Sequence, residues 1–215
     1  MRKFYLLVSL TMFVLLNSCA LKHGVFDVTL KTVVEPLAPN KSHPYSKIYV
    51  EKGSSPISHY DDKRMHITWR VDASKFYVEL ENKTPNYLVI LWDGAMFMDD
   101  LNGAEHLAAR GDNNFRSYKK GYEEQESIIM PFDKIKDELV PSSHVAYFSK
   151  RYQSLDKHYL FYNSWGYPEG AVSRDMESYV GTELALMIPM EINGVIKEFV
   201  FTFGIDKYSF KKGGF

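Results

Sequence analysis

Residues 184–203 consist of two strand-like segments on either side of Asn193-Gly194, a dipeptide that strongly favours a two-residue hairpin turn. With that dipeptide as the loop, Leu186 pairs with Phe201 and one face of the hairpin becomes almost wholly apolar. A slip of one residue would expose phenylalanines that are each worth about 2–3 kcal/mol when buried. The segment therefore predicts a hairpin of fixed register that packs on a core. Pro189 predicts that its strand lies at a sheet edge or carries a bulge.

Strand patterns recur along the rest of the chain. Residues 64–71 alternate apolar and polar side chains, and residues 76–81 do the same. A turn at 82–86 leads into 87–92, which is apolar on both faces, and we expect these two segments to form a central hairpin. Residues 132–139 predict one or two helical turns. About ten short strands with frequent turn signals predict an all-β protein, a single antiparallel β-sandwich with long loops and little helix.

The N-terminus has the features of an export signal. Met1-Arg2-Lys3 is positively charged, and the apolar segment 4–16 is too short to span a bilayer with stop-transfer flanks. The sequence Leu16-Asn17-Ser18-Cys19 resembles a bacterial lipobox, in which the cysteine becomes the acylated terminus; an ordinary secretory signal is the alternative. Because Cys19 is the only cysteine, its lipidation would leave no thiol for a disulfide, a nucleophile or a zinc site.

These features divide the chain into a lipoprotein signal peptide (1–18), a lipidated tether (19–23), a β-sandwich domain (24–210) and a C-terminal tail (211–215). Residues 20–23 hold no acidic cluster. By resemblance to the usual sorting patterns, this favours the periplasmic face of the outer membrane, with exposure at the cell surface left open. The predicted partners are the membrane, through the lipid anchor, and a protein or glycan of the cell envelope.

Charge and residue spacing argue against several functions. The formal net charge is −1, and the loss of Arg2 and Lys3 with the signal peptide lowers it to −3, so there is no basic footprint for nucleic acid. The 7 histidines are scattered without metal-ligand spacing, and no nucleophile elbow, phosphate loop or His-Glu-x-x-His motif occurs. The sequence thus predicts no metal, no cofactor and no enzymatic activity.

Residues 147–167 are unusually dense in aromatic side chains. Tyr152, Trp165 and Tyr167 are the candidate binding residues, because exposed tyrosine and tryptophan offer large contact areas to a partner strand or a sugar ring. In the alternative interpretation, the aromatic segment packs as a long loop onto the sandwich.

Trp92-Asp93 is the most distinctive pair in the chain. Asp93 would either belong to a ligand site or hydrogen-bond turn amides next to a buried Trp92, and we favour the second interpretation. The turn from Asp99 to Gly103 completes this candidate structural motif and lacks the oxygen ligands that a calcium loop needs at its ends. The segment Asn82-Lys83-Thr84 fits a glycosylation acceptor, but a turn is the preferred interpretation.

Four segments together resemble a run found in uncharacterised bacterial envelope lipoproteins, namely Tyr60-Asp61-Asp62, Ile67-Thr68-Trp69, residues 81–84 and residues 92–99. Those proteins combine an Asn-Lys turn with a Trp-Asp strand and an Asp-x-x-Gly turn. The resemblance covers most of residues 60–205. It implies an immunoglobulin-like sandwich, similar to fibronectin type III or late-embryogenesis-abundant domains, and it implies no activity. The chain departs from the pattern at Arg110-Gly111, where a histidine is expected before the glycine.

The sequence as a whole favours a lipid-anchored, non-enzymatic envelope protein that acts as a structural or protein-interaction module. A glycan-binding surface lipoprotein that uses the loop aromatics is one alternative. An envelope hydrolase is a second alternative, and it would need Asp99 or Asp100 paired with Glu105 in a cleft.

Overall fold

A computed structural model describes residues 22–35, 46–53, 55–72, 75–99, 103–109, 126–141, 145–147, 155–157 and 177–212 of the chain. Within these ranges the chain forms 14 β-strands and a 3-10 turn, Trp92–Gly94. Strands are numbered in chain order.

Two antiparallel layers make up most of the molecule. The first layer contains β1 (Lys22–Val34), β14 (Val195–Lys212), β13 (Glu183–Ile192), β7 (Met96–Asp99), β6 (Leu88–Ile90) and β9 (Ser127–Ile129). The second layer contains β10 (Lys134–Pro141), β5 (Phe76–Asn82), β4 (Met65–Val71), β3 (Ile57–Asp61) and β2 (Lys47–Glu51). Strand β8 (Gly103–Ala109) pairs with β7 and with β10, and so joins the two layers. Strands β11 (Val145–Tyr147) and β12 (Leu155–Lys157) form a separate two-stranded sheet.

The core lies between the two layers. Trp69 on β4 contacts Phe201 on β14 with ring centroids 5.2 Å apart, and Phe76 on β5 contacts Phe203 with ring centroids 5.3 Å apart. All four side chains are buried. The prediction of an antiparallel β-sandwich with little helix is therefore confirmed.

The β13–β14 hairpin has the register that the sequence predicts. Its ladder pairs Ile192 with Val195 beside the Asn193-Gly194 turn and continues without a shift to Leu184 and Phe203. The turn residues adopt the left-handed conformation that this short loop needs, with φ of 56° and 74°.

The prediction for Pro189 is wrong, because β13 is neither an edge strand nor bulged in this ladder. The proline instead faces a break in the neighbouring strand, where the 3-10 turn separates β6 from β7. Leu91 N donates to Pro189 O at 3.0 Å. A Cβ atom on Gly94 would lie 3.0 Å from Pro189 Cγ, so the glycine leaves room for the proline ring. The missing proline N–H therefore costs no ladder bond.

The predicted central hairpin is also wrong. Strand β5 pairs with β4 and β10 in one layer, whereas β6 pairs with β13 and β9 in the other. The turn at 82–86 therefore carries the chain from one layer to the other and does not connect paired neighbours.

Asn82 holds this crossing turn in place, and it is fully buried. Its Nδ2 donates to Asn86 O at 2.7 Å and to Ile129 O at 3.2 Å, while its Oδ1 accepts Thr84 N at 3.0 Å and Thr84 Oγ1 at 2.8 Å. A side chain with these partners offers no amide for a glycan, so the preference for a structural turn over a glycosylation acceptor is supported.

Residues 134–141 form strand β10 and not the expected helical turns. Six of its residues, from Lys134 to Leu139, pair with β5, and its last three pair with β8. The short run of charged residues has good helix propensity, but two neighbouring strands supply main-chain partners that a helix would forfeit.

A buried group of charges, the interlayer ion cluster, joins the layers at one end. The Asp62 carboxylate accepts the backbone N–H groups of Arg64 and Met65 at 2.7 and 2.8 Å and the Arg64 guanidinium at 2.7 and 2.9 Å. Arg64 Nη1 also donates to Glu35 Oε2 at 3.1 Å, and Lys197 Nζ donates to the other oxygen of Glu35. Because Glu35 follows β1 and Lys197 lies on β14, the cluster links the turn between β3 and β4 to the opposite layer.

At the other end of β1, the ladder with β14 begins at Lys22–Lys212 and His23–Lys211. The sheet therefore extends into the segments that the sequence assigns to the tether (19–23) and to the tail (211–215).

Candidate functional site

The outer face of the second layer carries a depression with a volume of about 660 Å³, here called the outer groove. Strands β3, β4, β5 and β10 form its floor. The residues lining it are Ile57, Thr68, Arg70, Tyr77, Val78, Glu79, Lys136, Asp137 and Glu138.

Strand alternation explains why polar side chains line the outer groove. On β4, buried Ile67 and Trp69 alternate with Thr68 and Arg70, so the second pair faces away from the core. The register then aligns residues from neighbouring strands in rows across the sheet. One row is Thr68, Glu79 and Lys136, and the next is Arg70, Tyr77 and Glu138.

Tyr77 lies at the centre of the outer groove with cations over its ring. The guanidinium carbon of Arg70 is 4.1 Å from the ring centroid, and Lys75 Nζ is 4.8 Å from it. The phenol donates to Asp72 Oδ2 at 2.8 Å. Burial, followed by this hydrogen bond, raises the pKa of Tyr77 above its ordinary value. The hydrogen bond and the two cations together fix the position of the Tyr77 ring.

Two carboxylates of the outer groove, those of Glu79 and Glu138, are paired with lysines. Glu79 accepts Lys134 Nζ at 2.7 Å and lies 2.8 Å from Lys136 Nζ. Hydrogen bonds from Lys134 and then from Lys136 lower the pKa of Glu79 to about 2. Glu138 forms an ion pair with Lys75. Glu79, held ionised in this way, is a poor proton donor.

An aromatic and histidine cluster adjoins the outer groove. Tyr49 stacks on His59 with centroids 4.5 Å apart, and His66 lies 5.4 Å from His59. Burial lowers the pKa of His59, a shift that Glu51 opposes and His66 reinforces. His66 lies on the polar face of β4, where it is half-exposed and packs beside the rings of Tyr49 and His59.

In space, the side chain of His59 lies between the Thr68 hydroxyl and the Glu51 carboxylate, the arrangement of a hydroxyl–imidazole–carboxylate relay. Thr68 Oγ1 lies 3.3 Å from His59 Nδ1 and also 3.4 Å from His66 Nε2. His59 Nε2 is 3.4 Å from Glu51 Oε1, yet it makes no hydrogen bond among the described residues. The hydroxyl is therefore shared between two imidazoles, and the contact between His59 and Glu51 lacks hydrogen-bond geometry.

The described part of the chain contains no group of three or more His, Cys, Asp or Glu side chains arranged to hold a metal ion. In the same ranges, no helix is both long enough and apolar enough to cross a bilayer.

The Trp-Asp motif lies in the 3-10 turn between β6 and β7 of the first layer. Trp92 is buried, and its Nε1 donates to Ser127 Oγ at 3.0 Å. Asp93 is exposed in the first turn of the same 3-10 helix. Asp99 pairs with Gly103 in the β7–β8 ladder, and Gly103 has the positive φ of 83° that favours glycine.

Other predicted site residues lie outside the described residues. These are Cys19, Tyr152, Trp165, Tyr167 and Asp100, together with the side chain of Glu105. Asp99 itself is half-buried at the end of β7. The lipid anchor, the loop binding surface and the carboxylate pair of a hydrolase therefore stay predictions.

Sequence analysis did not identify the outer groove. The polar faces of residues 64–71 and 76–81 were a usable signal, since they supply Arg70 and Tyr77. Lys136 and Glu138 were missed because their segment was assigned to helical turns, and only the pairing of β10 with β5 brings them to this face.

The fold and the outer groove define a two-layered antiparallel β-sandwich with a polar concave face on one layer. The chain matches no protein-family model, no curated protein and no solved structure. The resemblance to envelope lipoproteins, and the immunoglobulin-like kinship that it implies, therefore stay predictions.

Proposed function

We propose that this chain is a lipid-anchored, non-enzymatic β-sandwich of the cell envelope that acts as a protein-interaction module. The observation that carries the proposal is the N-terminal sequence, in which Met1-Arg2-Lys3 and the apolar segment 4–16 precede Leu16-Asn17-Ser18-Cys19. More than one acyl chain on Cys19 would give stable membrane binding.

The position of β1 is consistent with a domain held close to the membrane. Since the β1 ladder begins at Lys22, only Ala20 and Leu21 separate it from Cys19. A chain of that length spans about 10 Å when it is extended. The first rungs of the β1–β14 ladder also bring Lys22, Lys211 and Lys212 to one end of the sheet, where basic residues favour anionic headgroups.

The outer groove supports interaction in preference to catalysis. It presents cations and carboxylates side by side around Tyr77, and the carboxylate of Glu79 is held ionised by Lys134 and Lys136. Mixed charges around a rigid aromatic ring suit a polar protein surface of complementary charge.

The anchor is tested by comparing the wild-type chain with Cys19→Ser in the native cell. We expect mass spectrometry of the wild type to find an acylated N-terminus at Cys19 and fractionation to place the protein in membranes. Cys19→Ser should lose the lipid and leave the membrane fraction, whereas Ser18→Ala, which keeps the cysteine, should not. An unacylated and uncleaved wild-type N-terminus would refute the anchor.

The interaction is tested by crosslinking in intact envelopes with the tethered protein as bait. We expect Arg70→Glu combined with Lys136→Glu to abolish the partners that the wild type captures, because both changes invert charge in the outer groove. Lys207→Glu, an exposed change on β14 in the other layer, is the matched control and should retain them. Equal capture by all three chains would exclude the groove as the contact surface.

Glycan binding is the second candidate function, favoured by the aromatic density of residues 147–167. Isothermal titration calorimetry against envelope and dietary polysaccharides distinguishes glycan binding from protein interaction. Heat that disappears when Tyr152, Trp165 and Tyr167 are replaced by alanine would favour the glycan; no heat with any polysaccharide would count against it.

A further inference from the structure

Strand β2 is an edge strand with an exposed apolar centre. It pairs with β3 on one side, and no strand in the described part of the chain pairs with its other side. Ile48, Tyr49 and Val50 are 37%, 45% and 36% exposed. The strand contains no proline, and its ladder with β3 runs without a bulge from Lys47 to Glu51. It therefore lacks two common features that prevent an edge from pairing with another chain.

The hydrogen bonds of β3 determine which groups of β2 face outward. Asp62 N donates to Met65 O at 3.0 Å, so these two residues form a hydrogen-bonded pair at the turn between β3 and β4. Hydrogen-bonded and non-hydrogen-bonded pairs alternate along antiparallel strands. The main-chain groups of His59 therefore face β2 and engage those of its partner Tyr49.

By the same alternation, the main-chain N–H and C=O groups of Ile48 and Val50 point toward the open edge. A strand added there would bond to these two residues. The first layer has two edge strands. Strand β9 is shorter, with three residues, and carries no charges that would set a register. Strand β1 carries two register shifts in its ladder with β14.

The sequence of β2 is complementary to itself in the antiparallel direction. Lys-Ile-Tyr-Val-Glu, aligned against a second copy around Tyr49, places Lys47 opposite the other copy's Glu51 at both ends. The same alignment places Ile48 of each copy opposite Val50 of the other copy, which gives two symmetry-related pairs. These are the residues whose main-chain groups face outward, so side-chain pairing and hydrogen bonding agree on one register.

We propose that two copies of this chain associate through antiparallel pairing of their β2 strands around a two-fold axis at Tyr49. The pairing makes one continuous sheet from the second layers of both copies. It adds four main-chain hydrogen bonds, two for each pairing of Ile48 in one copy with Val50 in the other. Both outer grooves then lie on the same face of this sheet. The inference goes beyond the proposed function and does not depend on the lipid anchor.

The size of the contact limits its strength. Five residues on each side bury less surface than the roughly 1,200 Å² of a typical stable interface. We therefore expect a reversible dimer with micromolar affinity, and concentrations well above that range are needed to populate it.

Charge reversal tests the proposed register. The full chain is studied by sedimentation equilibrium in density-matched detergent with a large excess of micelles. We expect Lys47→Glu, and separately Glu51→Lys, to raise the dissociation constant about tenfold, because each creates two symmetry-related repulsive contacts. The double variant should restore dimerisation, because it recreates the two attractive pairs in reverse. Both positions are exposed, so the variants should fold.

Disulfide trapping provides a second test. Directly opposed residues of a non-hydrogen-bonded pair lie about 4.5 Å apart between Cα atoms, within reach of a disulfide. Tyr49→Cys should therefore form an intermolecular disulfide under mild oxidation. Val195→Cys, at an exposed position beside the β13–β14 turn, is the control and should not.

Three results would overturn the proposal. The first is a wild-type chain that stays monomeric at millimolar concentration. The second is a double variant that associates no better than the single variants. The third is a Tyr49→Cys chain that crosslinks to a different protein but not to itself.

Discussion

The interlayer ion cluster and the outer groove both pair lysine or arginine with carboxylates, but they lie in very different surroundings. In the cluster, the side chains of Asp62 and Glu35 are 2% and 8% exposed. In the groove, the side chain of Glu79 is 30% exposed and that of Lys136 is 73% exposed. Water screens the second set of charges and is largely excluded from the first.

Because the paired residue types are alike, we expect the difference in burial to determine what each charge contributes to stability. A buried charge that loses its partner keeps the full cost of desolvation, whereas an exposed one is rehydrated. The interlayer ion cluster should therefore govern stability, and the groove charges should be available for exchange with a partner.

Asp62→Ala should have the largest effect. It removes the acceptor for two backbone N–H groups and leaves the Arg64 guanidinium with fewer partners in a half-buried site. We expect a loss of about 3–5 kcal/mol in the free energy of unfolding, measured by urea denaturation. Asp62→Asn, which keeps one acceptor oxygen, should lose less. A loss below about 1 kcal/mol for the alanine variant would place this cluster in the same class as the groove charges.

Lys197→Met should have an intermediate effect. Glu35 would lose one of two cations but keep Arg64, and the methionine would retain most of the apolar stem of the lysine. We expect the free energy of unfolding to fall by about 1–3 kcal/mol in the same assay. Lys136→Met, which removes one of the two lysines on Glu79, is the matched control in the groove and should change it by less than about 0.5 kcal/mol.

Arg70→Met should have a smaller effect, since it removes a cation from the face of a partly buried tyrosine. We expect a loss of about 0.5–1 kcal/mol by thermal unfolding. Partner capture should fall much more than stability does. A variant that unfolds readily but still binds its partner would reverse the roles assigned to the two regions.

Glu79→Gln should have the smallest effect at neutral pH and should reveal a dependence on pH. The folded state lowers the pKa of Glu79 to about 2 from an ordinary value of 4.5. The ion pairs therefore contribute fully above pH 4.5 and are lost as pH falls through about 2. Screening at this exposed site keeps the contribution below about 1 kcal/mol. We expect the wild type and the variant to converge in stability below about pH 2, and also at high salt. A difference that persists in high salt would contradict the exposed character of the groove.

The sequence is sufficient to predict regions in which local pattern and final pairing coincide. The β13–β14 register follows from Asn193-Gly194 and from apolar alternation, because the turn residues and the buried face both select it. The all-β class follows from the same alternation repeated along the chain. The polar faces of β4 and β5 supply half of the outer groove for the same reason.

Long-range pairing decided the regions that were predicted wrongly. Residues 134–139 have helical propensity, yet β5 offers a complete row of main-chain partners. The segment 82–86 has the composition of a hairpin turn, but Asn82 hydrogen-bonds to Ile129 and thereby connects the crossing to a strand of the other layer. Pro189 is accommodated by a break between β6 and β7 that local sequence does not predict.

By itself, the sequence determined the strand period, the closing hairpin and the face of each strand that enters the core, since these depend on residues close together in the chain. The tertiary structure alone decided which strands become neighbours, and with them the outer groove, the interlayer ion cluster and the open edge of β2. The physical reason is that a strand completes its hydrogen bonds only with a partner from elsewhere in the chain, and the best partner depends on the whole core.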